Sequence, residues 1–231
     1  MIVMVLSHFH TRPLLDARVV GQRRVATSLD LGRTQTEVDI EPVGVRFPDG
    51  QTVAWGVVEG INGAQNSCFE VVAGEAHKVQ VFSDLTNQLY SLMPTARAPT
   101  MMISGIPMHR IKGTDPHRDT LEKVKAVKPI VGRVLDTATG LGYTAIEAAR
   151  TAESVLTIEL DPAALQVARL NPWSQALFES PVITQRIGDS YDVVEEFDEG
   201  AFTRVVHDPP VFSLAGHLYS GEFYAELFRV L

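Results

Sequence analysis

The sequence predicts an α/β fold, with a parallel sheet in residues 130–231 and a small β-rich domain in residues 1–95. In the second half, short apolar runs alternate with helical patterns, which is typical of βαβ units and a parallel sheet. In the first half, the valine-rich runs are short or alternating, and turns such as Pro48-Asp49-Gly50 break them, which indicates hairpins. Helical patterns are weak in this first half.

The elements of the second half follow one another in strict alternation. Strands are predicted over residues 133–136, 154–160, 182–187 and 203–207, and helices over residues 143–152, 161–170, 190–197 and 220–231. Asp161-Pro162 marks a helix start, because an Asp side chain caps free N–H groups and Pro fits the first turn.

Residues 96–129 are predicted to be a linker with a lead-in helix. Four prolines lie between residues 94 and 116, and residues 119–127 carry apolar side chains three and four positions apart. Asp115 or Thr114 is expected to cap this helix.

The composition excludes several classes of protein. Of the 231 residues, 45% are hydrophobic, which is enough for a sizeable core, and the single Cys68 excludes an internal disulfide and a multi-cysteine zinc site. No apolar run has membrane length, and the opening run over residues 1–6 lacks the basic start of a signal peptide. We therefore expect no bound metal, no membrane partner and a cytoplasmic location.

The net charge of −8 is unevenly distributed. Residues 134–231 contain 5 Lys or Arg and 15 Asp or Glu, whereas residues 97–133 contain 8 and 3. The acidic segment would repel a phosphate backbone, which disfavours duplex nucleic acid as a partner. The basic side chains of the middle segment are expected to form a solvated helix face, with RNA anchoring as the alternative. They are Arg110, Lys112, Arg118, Lys123, Lys125 and Lys128.

A strand–turn–helix motif runs over residues 134–145. Gly140 and Gly142 would let the backbone approach a ligand, and the helix start at Tyr143 offers N–H groups to an anion. Asp136, at the strand end, can accept a hydrogen bond from an ammonium group. The same residues fit the dinucleotide fingerprint G-x-G-x-x-A, but a carboxylate at Asp136 would repel a pyrophosphate.

Acidic residues also stand at the end of the second predicted strand and just after the third. Glu159 stands 23 residues after Asp136, where a carboxylate can accept hydrogen bonds from both hydroxyls of a ribose. Asp161 is expected to be a helix cap. Asp189, followed by Ser190, is expected to accept from an exocyclic adenine amine, with helix capping as the alternative.

The fourth predicted strand leads into Asp208-Pro209-Pro210, with Phe212 after one further residue. Two prolines stiffen the backbone, so the Asp208 side chain and the neighbouring carbonyls are expected to be rigid acceptors. Such acceptors suit an amine, because they take one N–H and direct the nitrogen lone pair at an electrophilic carbon. Phe212 could stack on a base or pack on an alkyl chain.

Together, these four motifs resemble the class I S-adenosylmethionine-dependent methyltransferases. More narrowly, the chain from about residue 95 onward resembles a largely archaeal group of predicted methyltransferases related to spermidine synthases. The segments 104–116 (SGIPMHRIKGTDP) and 168–174 (ARLNPWS) carry this narrower resemblance.

The resemblance implies a Rossmann-like sheet, S-adenosyl-L-methionine as the cofactor, and methyl transfer to a nitrogen of a nucleic-acid base or a small amine. Asp208, Pro209, Pro210 and Phe212 would position that nitrogen. Residues of the turn would hold the methionine part of the cofactor, Glu159 its ribose, and Asp189 with Ser190 its adenine. The turn residues implied are Asp136, Ala138, Gly140, Gly142 and Tyr143.

The sequence departs from the family pattern in three places. Ala138 replaces the first glycine of the turn, and Val211 separates Pro210 from the aromatic Phe212, as in some ribosomal RNA methyltransferases. The pattern also stops within an apolar helix over residues 220–231, with four of the family's usual seven strands placed. The cofactor domain is therefore predicted to be incomplete at its C-terminal side.

Three other functions remain open. The first is aminopropyl transfer from decarboxylated S-adenosylmethionine to a polyamine, the second a non-catalytic cofactor-binding module, and the third an NAD-dependent oxidoreductase. The β-rich domain could bind RNA or a partner, or form a homodimer.

Four aromatic residues near the motifs are further candidates. His207 is expected either to touch the substrate or to be a buried strand-end histidine. His217 and Tyr219 are candidates for the lining of an acceptor pocket. Trp173 is expected to pack in the core.

Overall fold

The computed structural model describes residues 4–231, so the first three residues of the opening apolar run lie outside the described residues. The N-terminal part holds two antiparallel sheets and two helices. Its elements are β1 (Val5–Leu6), α1 (His8–Val19), β2 (Arg24–Thr27), β3 (Thr36–Ile40), β4 (Gly44–Arg46), β5 (Thr52–Ala54), α2 (Trp55–Gly63), β6 (Phe69–Val72) and β7 (Glu75–Lys78). The two sheets have the strand orders β2-β3-β4-β5 and β1-β6-β7. The predicted β-rich character of this part is confirmed.

The helices α1 and α2 have weak sequence patterns because each buries only a narrow stripe. At the start of α1, the backbone N–H of Ser7 donates to Nδ1 of His10 (3.1 Å). Leu14 of α1 and Val58 and Ile61 of α2 are buried in one apolar core with the strands. Packing between the helices, rather than local propensity, therefore holds them in place.

A third antiparallel sheet crosses the predicted domain boundary at residue 95. The next elements are β8 (Gln80–Ser83), β9 (Gln88–Met93), β10 (Thr100–Ile103), β11 (Ile106–Pro107) and α3 (Pro116–Ala126). The sheet has the order β11-β10-β9-β8, and Leu92 pairs with Met101 across the boundary. Residues 96–129, where a linker is predicted, therefore contain two strands and a helix.

The N-terminal cap of α3 is Asp115, one of the two residues predicted for it. Oδ1 of Asp115 accepts hydrogen bonds from the backbone N–H groups of His117 and Arg118 (3.0 and 3.2 Å), and Pro116 occupies the first helical position.

The second half of the chain forms a parallel sheet with helices on both faces. Its elements are β12 (Arg133–Asp136), α4 (Tyr143–Ala148), β13 (Ser154–Glu159), α5 (Pro162–Leu170), α6 (Gln175–Glu179), β14 (Ile183–Ile187), α7 (Ser190–Val194), β15 (Arg204–Val206), α8 (Phe212–Ala215) and α9 (Gly221–Val230). Short 3₁₀ helices lie at Pro172–Ser174 and Gly216–Tyr219. The strand order is β14-β13-β12-β15, and every pair is parallel. All four predicted strands are present, and the predicted α/β class is confirmed.

The strand order places a crevice at the carboxyl end of β12. The chain crosses from β12 to β13 on one side and later returns to β15 on the other, and such a reversal opens space above the strand ends of a parallel sheet. On one face of the sheet, Val134 and Val155 share a core with Tyr90 and Leu92 of β9. The sheet β8–β11 thus packs on the second half of the chain and reaches the crevice.

Two further findings concern residues 4–231 only. No helix in this range is long and apolar enough to cross a membrane. No group of three or more His, Cys, Asp or Glu side chains in this range is arranged to hold a metal ion.

Cys68 is fully buried, and its burial raises the pKa of the thiol.

Candidate functional site

A cavity of about 220 Å³ lies in the crevice at the carboxyl ends of the parallel strands. It brings together most of the residues predicted from the four motifs. Those that line it are Ala138, Gly140, Tyr143, Glu159, Asp189, Ser190, Asp208, Pro209 and Pro210. Asp136, Gly142 and Phe212 do not line it.

The turn between β12 and α4 exposes its backbone to the cavity at Gly140. This residue has a φ of +51°, and a Cβ added to it would meet only Cε of Met101, at 3.7 Å. The backbone N–H of Gly140 donates to Oε2 of Glu159 (2.8 Å). The left-handed conformation and the open space agree with the expectation that this glycine admits a close ligand.

Gly142, for which a cofactor contact is predicted, packs closely against a neighbouring helix. Its φ is +75°, and an added Cβ would lie 2.6 Å from Cδ2 of Leu177, a side chain only 1% exposed. Gly142 therefore lets α4 approach α6 closely, and it shapes the cavity only through the path of the turn.

Asp136 lies below the cavity and not in its wall. The side chain is fully buried, and its carboxylate accepts hydrogen bonds from Oγ1 of Thr157 (2.6 Å) and Oγ1 of Thr144 (3.1 Å). Burial raises the pKa of Asp136 to about 7, although both threonine hydrogen bonds act in the opposite direction. Since Thr144 does line the cavity, Asp136 acts on the cavity through the threonine that it orients.

The raised pKa of Asp136 makes stability depend on pH. Its pKa in the folded state is about 7, above its usual value of 3.8. Between pH 3.8 and about pH 7, the carboxyl group is therefore protonated in the folded state and ionised in the unfolded state. The stabilising contribution is therefore present at low pH and is lost as the pH rises through about 7.

We expect Asp136→Asn to gain stability relative to the wild type as the pH is raised from about 5 to 8, by on the order of a few kcal/mol. Urea unfolding of both proteins across this range measures the difference. A difference that does not change with pH would contradict the assignment.

Glu159 ends β13 at the position expected for a ribose-binding acid. Its Oε2 accepts from the N–H of Gly140, and its Oε1 accepts from the N–H of Asp161 (3.1 Å). Burial raises the pKa of Glu159 to about 7, against the effect of these backbone hydrogen bonds. The carboxylate is thus oriented by two elements while one side of it faces the cavity.

Asp189 has the capping role that was the alternative for it, and it also contacts a histidine of the cavity wall. Its Oδ1 accepts from the N–H of Tyr191 (2.9 Å), which is a helix cap for α7, and its Oδ2 lies 3.0 Å from Nε2 of His217. Ser190 is buried, and its hydroxyl donates to the carbonyl of Thr137 (2.5 Å). His217, a candidate for the lining of an acceptor pocket, lines this cavity.

The Asp208-Pro209-Pro210 loop follows β15 and forms the opposite wall. Oδ2 of Asp208 accepts a hydrogen bond from Nζ of Lys123 on α3, at 2.6 Å. The hydroxyl of Tyr219 donates to the carbonyl of Pro210 (2.8 Å), which fixes the second proline. Lys123 is therefore an exception to the solvated helix face predicted for the basic residues.

Phe212, expected to stack on a base or pack on an alkyl chain, lies outside the cavity lining. It begins α8, is 71% exposed, and lies beside the ring of Tyr219 with 5.8 Å between ring centroids. The extra residue Val211 carries the aromatic side chain past the cavity and onto the surface.

The remaining aromatic candidates have structural contacts. Nε2 of His207 lies 3.0 Å from the carbonyl of Leu218, and Nδ1 lies 2.8 Å from Oγ1 of Thr137. Because a carbonyl only accepts, Nε2 carries the proton and Nδ1 accepts from the threonine. Nε1 of Trp173 donates to the carbonyl of Leu31 (2.9 Å), and its ring packs against the core as expected.

The sheet β8–β11 and its adjoining loops contribute a wall that the four motifs did not indicate. Its cavity residues are Thr86, Gln88, Tyr90, Met101, Ile103, Met108 and His109. Met108 and His109 belong to the segment 104–116 that carries the narrower resemblance, and the fold brings the other five to the same cavity. Nδ1 of His109 lies 2.9 Å from Oγ1 of Thr100, and burial lowers the pKa of His109 to about 4. His109 is therefore neutral where it faces the cavity.

Comparison with known proteins identifies an archaeal relative. No family model matches the chain. The chain is 44% identical over 235 residues to the uncharacterized protein MJ1233 of Methanocaldococcus jannaschii, in an alignment that covers 100% of this chain and 80% of that protein.

Comparison with solved structures shows the fold. A spermidine synthase in complex with the transition-state analogue AdoDATO has a TM-score of 0.57 and 21% identity, over 66% of this chain and 53% of that chain. The spermidine synthase from Thermotoga maritima has a TM-score of 0.53 and 19% identity, over 66% and 52% of the two chains. The chain thus spans about half the length of these synthases and shares their fold. By its identity and coverage, the chain belongs to the family of the uncharacterized protein MJ1233 of Methanocaldococcus jannaschii.

Proposed function

We propose that the cavity binds S-adenosyl-L-methionine and that the chain transfers its methyl group to an amino nitrogen held by Asp208. The observation that carries this proposal is the convergence of four strand ends on one cavity. An exposed glycine turn, two acids at successive strand ends and an Asp-Pro-Pro loop all face the same space.

The residues present fit this cofactor. The backbone at Gly140 is open, since a Cβ added there would meet only Cε of Met101, at 3.7 Å, and it would leave room for the methionine part of the cofactor. Glu159 would accept from the two ribose hydroxyls, and Asp189 with Ser190 would flank the adenine. The cofactor supplies an electrophilic methyl carbon on a sulfonium. No covalent help from the protein is needed, so positioning in a water-poor cavity is the main contribution of the chain.

Asp208 would orient the acceptor. A hydrogen bond from one acceptor N–H to this carboxylate turns the nitrogen lone pair toward the methyl carbon. As the C–N bond forms and the S–C bond breaks, the nitrogen loses a proton, which Asp208 can take. The proline ring at position 209 and the Tyr219 contact at Pro210 limit the movement of the loop.

Aminopropyl transfer from decarboxylated S-adenosylmethionine is the second candidate, and one observation favours it. Among the described residues that line the cavity there is no Lys or Arg. A carboxylate on the cofactor would therefore have no cationic side chain to pair with, whereas the decarboxylated form carries no carboxylate.

Calorimetric titration with each form of the cofactor separates the candidates. Tighter binding of S-adenosylmethionine supports methyl transfer, and tighter binding of the decarboxylated form supports aminopropyl transfer. No binding of either form would overturn both.

The variant Glu159→Gln tests the placement of the cofactor. We expect at least about tenfold weaker cofactor binding, because a charge-assisted hydrogen bond is lost. Glu153→Gln, at an exposed position of the loop before β13, is the matched control and should bind as the wild type does. Equal affinities for the two variants would remove Glu159 from the site.

A further inference from the structure

A row of alternating charges lies behind the Asp208-Pro209-Pro210 loop. Nε of Arg110 lies 3.7 Å from Oδ1 of Asp119, Nζ of Lys123 lies 3.0 Å from Oδ2 of Asp119, and the same Nζ lies 2.6 Å from Oδ2 of Asp208. Asp119 is only 4% exposed. The row joins α3 to the loop after β15, two elements that no sequence motif connects.

Lys123 is the member of the row that reaches the cavity wall. Burial opposes its charge, but hydrogen bonds and charge interactions with Asp208 and Asp119 outweigh burial and raise the pKa of Lys123. The ammonium is therefore present at neutral pH. It occupies one oxygen of Asp208, and within residues 4–231 no side chain or backbone group donates to the other oxygen, Oδ1.

The other carboxylates of the cavity are also partnered. Asp189 lies against His217 and caps α7, and Glu159 accepts two backbone N–H groups. A protonated amine that enters this space would find each described carboxylate of the lining already in contact with a donor, and at Asp208 it would stand within a few ångströms of the ammonium of Lys123. Like charges so close in a partly buried site cost binding energy.

An uncharged amino group meets none of this repulsion. Its N–H can donate to Oδ1 of Asp208 without bringing a second positive charge to the carboxylate. Its nitrogen also retains the lone pair that a protonated amine lacks. The same contact therefore both selects the acceptor and orients it.

We propose that Lys123, held in place by Asp119, is a specificity-determining residue that makes the acceptor pocket select uncharged amino groups, such as those of nucleobases, against protonated aliphatic amines. This inference rests on the proposed function in that it takes Asp208 to be the partner of the acceptor. Lys123 is a positioning residue in this scheme, because it acts through Asp208.

Putrescine, an aliphatic dication, is the probe for this inference. Calorimetric titration of the full chain is compared for the wild type, Lys123→Met, and Lys125→Met, which removes an exposed lysine of the same helix. We expect Lys123→Met to bind putrescine at least roughly tenfold more tightly than the other two proteins, with a gain that salt weakens. Adding Asp208→Asn to Lys123→Met should abolish the gain.

Lys123→Arg separates charge from packing, since it retains the cation and should continue to exclude putrescine. If thermal unfolding shows that Lys123→Met does not fold, Lys123→Arg is the variant that is measured in its place. Equal putrescine affinity in the wild type and Lys123→Met, a gain that survives Asp208→Asn, or strong binding by Lys123→Arg would each overturn the inference. Failure of the proposed function is read separately, from the cofactor titrations of the wild type.

Discussion

Asp208→Ala is expected to lower methyl transfer by roughly 100- to 10,000-fold while leaving the affinity for S-adenosylmethionine nearly unchanged. The carboxylate lies in the loop after β15, whereas the acid predicted to hold the ribose lies at the end of β13. Removing Asp208 takes away the group that orients the acceptor and receives its proton. It leaves the turn at Gly140 and the carboxylate of Glu159 in place.

The measurement has two parts. Labelled S-adenosylmethionine is incubated with adenosine, cytidine, an unmodified transfer RNA transcript and putrescine, and the initial rate is compared with that of the wild type. Calorimetry then gives the affinity of the same variant for the cofactor. Asp192→Ala, at an exposed position of α7, is the control and should retain both properties.

Two results would contradict this division of roles. Loss of cofactor affinity together with turnover would place Asp208 in the cofactor site. Turnover that survives the substitution would show that another group positions the acceptor.

Gly142→Ala is expected to lower the free energy of unfolding by about 2–4 kcal/mol. Part of this arises because φ is +75°, a conformation that costs a residue with a Cβ about 1 kcal/mol or more. The rest arises because the new methyl group would lie 2.6 Å from Cδ2 and 2.9 Å from Cδ1 of Leu177, in a closely packed core.

Gly140→Ala is the matched control for this prediction. It too has a positive φ, but its nearest neighbour lies at 3.7 Å, so only the backbone cost of about 1 kcal/mol is expected. The double variant Gly142→Ala, Leu177→Ala should lose less stability than the two single changes added together, because the smaller side chain relieves the clash. Urea unfolding of the wild type, the three single variants and the double variant measures these differences. Equal costs at the two glycines would contradict the packing role of Gly142.

The strands of the parallel sheet were predictable from sequence because their signal is local. Apolar runs of four to six residues alternate with helical patterns, and caps such as Asp161 with Pro162 mark the boundaries where the structure has them. The helices α1 and α2 could not be predicted in this way. Their buried stripes are narrow, and each is held by packing on the other.

The site was predictable to the extent that strand ends identify it. Glu159 ends a strand, and Asp189 and Asp208 each follow one. Parallel strands bring their carboxyl ends to one edge, so these three acids meet at one cavity. Sequence spacing could not show which way a neighbouring side chain points. Asp136 also ends a strand, but it lies between Thr144 and Thr157 under the cavity, and Phe212 turns outward with α8.

For the second half of the chain, the sequence by itself determined the succession of strands and helices, the acids at the strand ends and the glycine turn, because each depends on residues close together in the chain. Only the tertiary structure determined which residues surround Asp208 and line the rest of the cavity. Lys123 and Asp208 are 85 residues apart in sequence, and the sheet β8–β11, which lines the cavity, pairs strands from both sides of the predicted domain boundary at residue 95. Contacts over such distances depend on how the elements pack, and they cannot be predicted from the hydrophobic periodicity of the sequence.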